Sequence, residues 1–277
     1  MFQDIDPHTL TYDPDHGAPG ENDHLMFLRD GRVLLAADGG RLAVPTYGEV
    51  RAALRDKADD AVYLFSMDET AFYYSPEEIN ETNPYTYNGI RVVRSLAPAL
   101  LSFACATAFH FAQWYRTNRY CGQCGCAMLP RERERALQCP CCSLVKYPRI
   151  SPAIIVAVAD GEELLLTKYS GREYTNFALV AGFVEPGETL EAAIAREVKE
   201  EVGLEIANVR YYKSQPWAFS QSILMGFFAD LHGERTITID PGELSEAGWY
   251  PRSALPADES RFSLTWDMIE AFRNNEV

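Results

Sequence analysis

Apolar positions along this chain fall into two periods, and each change of period marks a new element. Leu25–Leu28 and Val33–Ala36 are short apolar runs hinged at Asp30-Gly31, the pattern of a β-hairpin. Glu49–Lys57 reads as a short helix, and Ala61–Ser66 and Arg91–Val93 read as strands. From Leu96 to Asn118 the period becomes helical, with Leu100, Leu101, Ala104, Ala108, Phe111 and Tyr115 at helical spacing. Cys105 falls inside that helix and reads as a buried core thiol. Residues 1–23 are polar and rich in turn formers (Asp13-Pro14-Asp15, Gly17, Pro19-Gly20), a loose lead-in.

The second half repeats the change of period. Ala153–Ala159 and Leu164–Lys168 form a hairpin around Asp160-Gly161, and Phe177–Ala181 is a short strand. Thr189 is placed to cap a helix that runs through Val202, and Gly203 to end it. Strands follow at Val209–Lys213, Ile223–Leu231, Thr236–Ile239 and Gly248–Tyr250, then a helix from Leu264 to Arg273. Strands on both sides of one helix, with a second helix behind, predict an α/β/α sandwich. The expected class is α/β in the α+β sense. Its domains are an N-terminal α+β domain over residues 1–118, a cysteine module over 119–149 and the sandwich over 150–277.

At 277 residues, 47% hydrophobic and 23% charged, the chain has the composition of a globular protein. A net charge of −15 disfavours a non-specific grip on nucleic acid or anionic membrane, although it leaves room for a local basic groove. No run approaches the length of a membrane span, and the N-terminus lacks a basic stretch followed by an apolar one. The expected location is cytoplasmic. The five histidines match no metal motif.

Cys121-Gly-Gln-Cys124 and Cys139-Pro-Cys-Cys142, fourteen residues apart, make a pair of C-x-x-C knuckles. Four thiolates so spaced make a closed tetrahedral Zn²⁺ site, one per chain and structural in role. Cys126 and Cys141 are near enough in sequence to substitute as ligands, and Cys141 beside Cys142 leaves a one-residue ambiguity of register. Cys142 is chosen because it repeats the gap of the first knuckle. Seven cysteines, an odd number, read as thiolates rather than as a disulfide framework.

Glu197, Glu200 and Glu201 stand at i, i+3 and i+4, so one helix face carries all three. Like charges one turn apart destabilise a helix by about 0.2–0.5 kcal/mol. Lys199 lies toward the opposite face, so relief must come from elsewhere. Mg²⁺ or Mn²⁺, which take oxygen ligands and bind carboxylates together with phosphates, would supply it.

The run from Gly182 through Glu188, Arg196-Glu197 and Glu200-Glu201 to Gly203-Leu204 matches the Nudix box in full. Downstream, Ser214-Gln-Pro-Trp-Ala-Phe-Ser-Gln-Ser222 resembles the SQPWPFPxS signature of the NADH pyrophosphatase branch of Nudix hydrolases. The order of N-terminal domain, Cys₄ ribbon, box and signature also resembles that branch, closely from Tyr120 to about Tyr250. Ala218 and Ser220 replace two signature prolines, which predicts a looser loop there.

The resemblance implies metal-dependent hydrolysis of the pyrophosphate of NAD(H) to AMP and nicotinamide mononucleotide, and removal of NAD caps from RNA 5′ ends. Another dinucleotide, such as ADP-ribose, a diadenosine polyphosphate or FAD, is the alternative. It further implies that Glu197, Glu201, Glu200, the Ala181 carbonyl and Glu243 bind Mg²⁺ or Mn²⁺, with Glu200 or Glu243 as base. Gln215, Pro216, Trp217, Ala218, Phe219, Ser220, Gln221 and Ser222 are expected against the dinucleotide. Glu134, Tyr147, Phe183, Arg94 and Thr265 match further substrate contacts, and the family is homodimeric. Plainer roles stand beside these: Arg196 and Glu188 pairing to hold the loop, Trp217, Phe219 and Tyr147 as packing, and Glu243 as a turn carboxylate.

Overall fold

The structure, a computed structural model, describes residues 1–13, 15–38, 41–54, 60–171, 175–257 and 262–277. The chain divides into two compact units. One is Phe2–Arg149 with Ala218–Gln221, the other Met1, Ile150–Trp217 and Ser222–Val277.

In the first unit the strands are β1 (Leu10–Thr11), β2 (His24–Arg29), β3 (Arg32–Asp38), β4 (Arg41–Ala43), β5 (Val62–Met67), β6 (Thr70–Ser75) and β7 (Tyr85–Gly89). They form one sheet in the order β1-β5-β6-β2-β3-β4, with β7 on β3. The hairpin of β2 and β3 turns at Asp30-Gly31, both at positive φ, as the sequence predicts. Helix α1 (Tyr47–Leu54) covers part of the predicted Glu49–Lys57 helix; residues 55–57 lie outside the described residues. Arg91–Val93 is not a strand. Ile90–Ser95 winds into a 3₁₀ turn, because Ser95 and Ser102 hydroxyls donate to the carbonyls of Val92 and Val93 and replace a ladder partner. Helix α2 (Ala99–Thr117) follows, with Cys105 fully buried and its thiol pushed up to about 12 by that burial.

The ribbon strands β8 (Leu129–Pro130), β9 (Leu137–Gln138) and β10 (Val145–Lys146) make a small antiparallel sheet in the order β10-β9-β8. Its core is small: Met128, Leu137, Cys121 and Cys139 pack against Trp114 of α2. Arg135 adds a tie, its guanidinium 4.1 Å from the rings of both Tyr12 and Phe111 and bonded to the Leu64 carbonyl.

The second unit is a sheet of β11 (Ser151–Asp160), β12 (Glu163–Tyr169), β13 (Val180–Phe183), β14 (Glu205–Trp217), β15 (Ser222–His232) and β16 (Leu244–Pro251), with helices α3 (Leu190–Val202) and α4 (Leu264–Arg273). The order is β14-β15-β11-β12-β16, and among the described residues only β11 and β15 of this sheet run parallel. Residues alternate along β11 between two cores. Ile154, Val156 and Val158 meet Ala193, Ile194, Val198 and Val202 of α3, whereas Ile155 and Ala157 meet Leu264, Met268, Ile269 and Phe272 of α4. Helix, sheet and helix thus form the predicted sandwich. Burying one such aliphatic side chain contributes about 1.5–3 kcal/mol.

Strand β12 leaves β11 after the pairs Ala159–Leu164 and Asp160–Glu163, and the segment around Ala178 to Phe183 fills the opening. Ala178 bridges Thr167 on one side, while β13 pairs with Ala153–Val156 on the other. The predicted strand Phe177–Ala181 is therefore shifted toward the box. Thr236–Ile239 is not a strand either. Its Thr238 and Asp240 N–H groups donate to the carbonyls of Val202 and Glu201, satisfying the open C-terminus of α3 instead of a neighbouring strand.

Candidate active site and thiolate centre

Helix α3 begins at Thr189, whose hydroxyl oxygen accepts from the Ala192 N–H at 3.2 Å. It ends at Gly203, left-handed at φ 74, whose N–H donates to the Lys199 carbonyl. Its apolar stripe fixes the helix rotation, and that rotation sets the carboxylates. Glu201 shares the buried stripe and is only 3% exposed, the side chain of Glu197 is 14% exposed and that of Glu200 59%. Lys199 turns away and reaches Glu205 at 3.4 Å.

Arg196 organises this face. Its Nε and Nη2 donate to the two Glu188 oxygens at 2.6 and 2.9 Å, Nη1 to Glu197 at 2.8 Å and Glu200 at 3.1 Å, and Nη2 to the Phe183 carbonyl at 3.1 Å. The guanidinium and the Glu185 N–H together hold the Glu188 carboxyl down to about 2. Gly182 lies so close that a Cβ there would overlap the Glu197 carboxylate. Only a glycine at this point of β13 lets backbone and carboxylate meet. The neighbouring Ala181 is half-buried on the same strand, and Phe183 beyond it is 51% exposed. The turn carrying Glu243 is tied to the helix end by the Asp240 N–H, which donates to the Glu201 carbonyl at 3.0 Å. The donor set suits a hard divalent cation: carboxylates on one helix face, met at close range by the Gly182 backbone.

The signature segment divides between the units. Gln215 is fully buried; its Nε2 donates to the Phe262 carbonyl at 3.1 Å and its Oε1 accepts from the Leu264 N–H at 2.8 Å, so it anchors the start of α4. Pro216 is exposed, and Trp217 stands edge-on to Phe262 at 6.2 Å. Thr265 lies half-buried in the first turn of α4. Ala218–Ser220 forms a 3₁₀ turn with Ala218 buried, followed by Gln221 at φ 52 and buried Ser222, so the turn is formed without the two prolines. Within the first unit, exposed Arg94 stacks on Phe219 at 5.1 Å. In that unit too, the Tyr147 hydroxyl donates to Glu134 at 3.3 Å, and Arg131 holds Glu134 at 2.6 Å.

The two cysteine knuckles share one design. Gly125 and Ser143, each just after the second cysteine, are left-handed at φ 76 and 64. Their N–H groups donate to the carbonyls of Cys121 and Cys139, both at 2.9 Å, and the N–H groups of those cysteines donate to Cys126 and Leu144. This repeat removes the ambiguity of register: Cys142 corresponds to Cys124. The four sulfurs of Cys121, Cys124, Cys139 and Cys142 cluster, with separations of 3.5 Å (121–142), 3.4 Å (124–139) and 3.6 Å (124–142). Tetrahedral Zn–S bonds of about 2.3 Å require sulfurs about 3.8 Å apart, so zinc fits with little movement. Cys126 and Cys141 do not compete as ligands in this state, because they are bonded to each other as a disulfide. The expectation that all the cysteines are thiolates is corrected there; both residues lie beside the ligands and are brought together by the folded-back knuckles.

Among the described residues no helix is long and apolar enough to cross a membrane. The NUDIX domain family matches residues 148–272, and the NADH pyrophosphatase zinc ribbon domain family matches 116–147. A curated relative from Shigella dysenteriae serotype 1 (strain Sd197), NAD-capped RNA hydrolase NudC, is 41% identical over 178 residues, 64% of this chain and 68% of its own. The protein of the same name from Citrobacter koseri is 46% identical over 145 residues, 52% of this chain and 56% of its own. A solved NUDIX hydrolase from Nitrosomonas europaea aligns with TM-score 0.48 and 22% identity, over 57% of this chain and 92% of that one.

Proposed function

The chain belongs to the Nudix hydrolases, in the branch that carries the NADH pyrophosphatase zinc ribbon, and from that premise we propose that it hydrolyses the pyrophosphate bond of NAD(H). The products are AMP and nicotinamide mononucleotide, and the same cut removes the NAD cap from RNA 5′ ends. NAD(H) is the substrate and undergoes no redox change. One observation carries the reading: Glu197 and the buried Glu201 share one helix face, closed on the β13 side by Gly182. The relatives named NAD-capped RNA hydrolase support the choice of substrate.

Glu197, Glu201 and the Ala181 carbonyl, with Glu200 and Glu243, would hold Mg²⁺ or Mn²⁺, which when bound neutralises phosphate oxygens and lowers the pKa of a water. Arg196 fixes the rotamers of Glu188 and Glu197, so the box loop and a ligand carboxylate move as one body. Glu200, the most open of the three helix carboxylates, or Glu243 accepts the proton of the attacking water. Phe183 offers an open ring for stacking on a base. Pro216 to Ser222, Thr265, Arg94, Glu134 and Tyr147 are the remaining proposed contacts, while Gln215 supports them by anchoring α4. Zinc on the four ribbon thiolates is structural. We further propose a homodimer, as the resemblance implies, and a cytoplasmic location, as the sequence pattern suggests; light scattering on the purified chain tests the dimer.

The substrate is tested by chromatography of products after incubation with NADH, NAD-capped RNA, ADP-ribose and a diadenosine polyphosphate, each with Mg²⁺ or Mn²⁺. AMP and reduced nicotinamide mononucleotide forming fastest from NADH, with cap removal from RNA, is the expected result. Cleavage of ADP-ribose or the diadenosine compound with NADH untouched would move the chain to another substrate class.

A further inference from the structure

The seven cysteines sort into three kinds. Four cluster as the thiolate set, Cys105 is sealed inside α2, and the remaining two are joined as Cys126–Cys141. We propose that this last pair is a reversible disulfide that closes the ribbon independently of its zinc.

The placement supports this role. Cys126 follows the first knuckle and Cys141 lies inside the second, with Cα atoms 6.4 Å apart, a separation that a disulfide spans without backbone movement. Cys124 and Cys139 lie on the two arms of the same β8–β9 hairpin, so zinc and disulfide close nearly the same loop. The two closures share no sulfur. Oxidising the spare pair leaves all four zinc thiolates in place, and losing zinc leaves the covalent closure in place.

Redundancy matters because the ribbon has little else to hold it. Its core is a handful of side chains around Trp114, and small modules of this kind depend on metal or disulfide staples. The spare pair also carries a hazard when reduced. The sulfurs of Cys126, Cys139 and Cys141 lie within 4.8 Å of one another, so a free thiolate at 126 or 141 stands within reach of a zinc ligand. Bonding the pair to itself removes that competitor.

Access makes the bond reversible. The side chain of Cys141 is exposed and that of Cys126 half-buried, so external thiols and disulfides meet Cys141 first. The Cys141 thiolate attacks a low-molecular-weight disulfide, forming a mixed disulfide and expelling one thiolate. The Cys126 thiolate then attacks the Cys141 sulfur and expels the second. Two cysteine thiols are oxidised by two electrons, one external disulfide is reduced to two thiols, and the two protons pass to the departing thiolates. A dithiol reverses both steps.

The test uses the full zinc-loaded chain, equilibrated with oxidised or with reduced glutathione. Alkylation without denaturant and peptide mass mapping locate the bond, and a chromophoric chelator reads the rate of zinc release. The expected result is a Cys126–Cys141 bond with one zinc retained, and release at least about tenfold slower from the oxidised than from the reduced protein, as closure of a loop of this size implies. Cys126→Ser/Cys141→Ser should release zinc at the fast rate under both conditions. Equal rates in oxidised and reduced native chain would overturn the proposal, as would zinc expulsion with a bond to Cys139, or both spare cysteines still alkylated after oxidation. Should the double variant bind no zinc, the comparison within the native chain still decides.

Discussion

Arg196 grips Glu188 through two parallel hydrogen bonds, Nε to Oε1 at 2.6 Å and Nη2 to Oε2 at 2.9 Å, and the same guanidinium holds Glu197 at 2.8 Å. A loop residue and a ligand residue are thereby fixed by one side chain. Arg196→Lys keeps the charge and loses the fork. We expect kcat on NADH to fall by about tenfold or more, with the activating metal concentration raised and the melting temperature lowered as the hold on Glu188 weakens. A variant with unaltered metal dependence would show that Arg196 does not position Glu197.

The same pair predicts a pH response. Glu188 is depressed from 4.5 to about 2, so its contribution to stability is complete above about 4.5 and is lost as pH falls toward 2. Glu188→Gln should therefore flatten the acid side of the stability curve in that window. Denaturant titrations of both proteins at a series of pH values read the difference; identical slopes would contradict the pairing.

Gly182→Ala tests the close approach of β13 to α3. The added methyl meets the Glu197 carboxylate, so that carboxylate must move while the sheet and helix cores are untouched. The expected outcome is at least a hundredfold loss of activity, about 2.7 kcal/mol at 1.36 kcal/mol per tenfold, with a normal circular dichroism spectrum. Activity within a few-fold of native would mean Glu197 is not needed where it stands.

Gln215→Ala removes both backbone anchors at the start of α4 and takes the acceptor from the buried Leu264 N–H, costing about 1–3 kcal/mol. Urea unfolding should show that loss with KM for NADH little altered. A raised KM with unchanged stability would make Gln215 a substrate contact instead.

What the sequence reveals here is mostly local. The span of α3 is written in Thr189 and Gly203, and its rotation in the apolar stripe Ala193, Ile194, Val198 and Val202. The zinc knuckles are equally legible, because spacing and ligand chemistry are local too. Features that depend on a distant partner are not. Thr236–Ile239 has a strand's alternation, yet its hydrogen bonds go to the carbonyl end of α3. Val92-Val93 has β-branched residues, yet Ile90–Ser95 winds into a 3₁₀ turn. The aromatic strand Thr70–Ser75 goes unread, although its Phe72, Tyr73 and Tyr74 carry the signal. The reason for Gly182 emerges only when β13 and α3 are seen together, and the support role of Gln215 only with α4 in place.

The most direct test of the carboxylate face is Glu201→Gln, assayed for NADH hydrolysis across a metal titration. Removing one buried ligand charge should cost several kcal/mol of transition-state stabilisation, about a hundredfold or more in kcat/KM, with the fold retained. Hydrolysis at the native rate and with the native metal dependence would contradict the assignment of this helix face as the metal-binding centre.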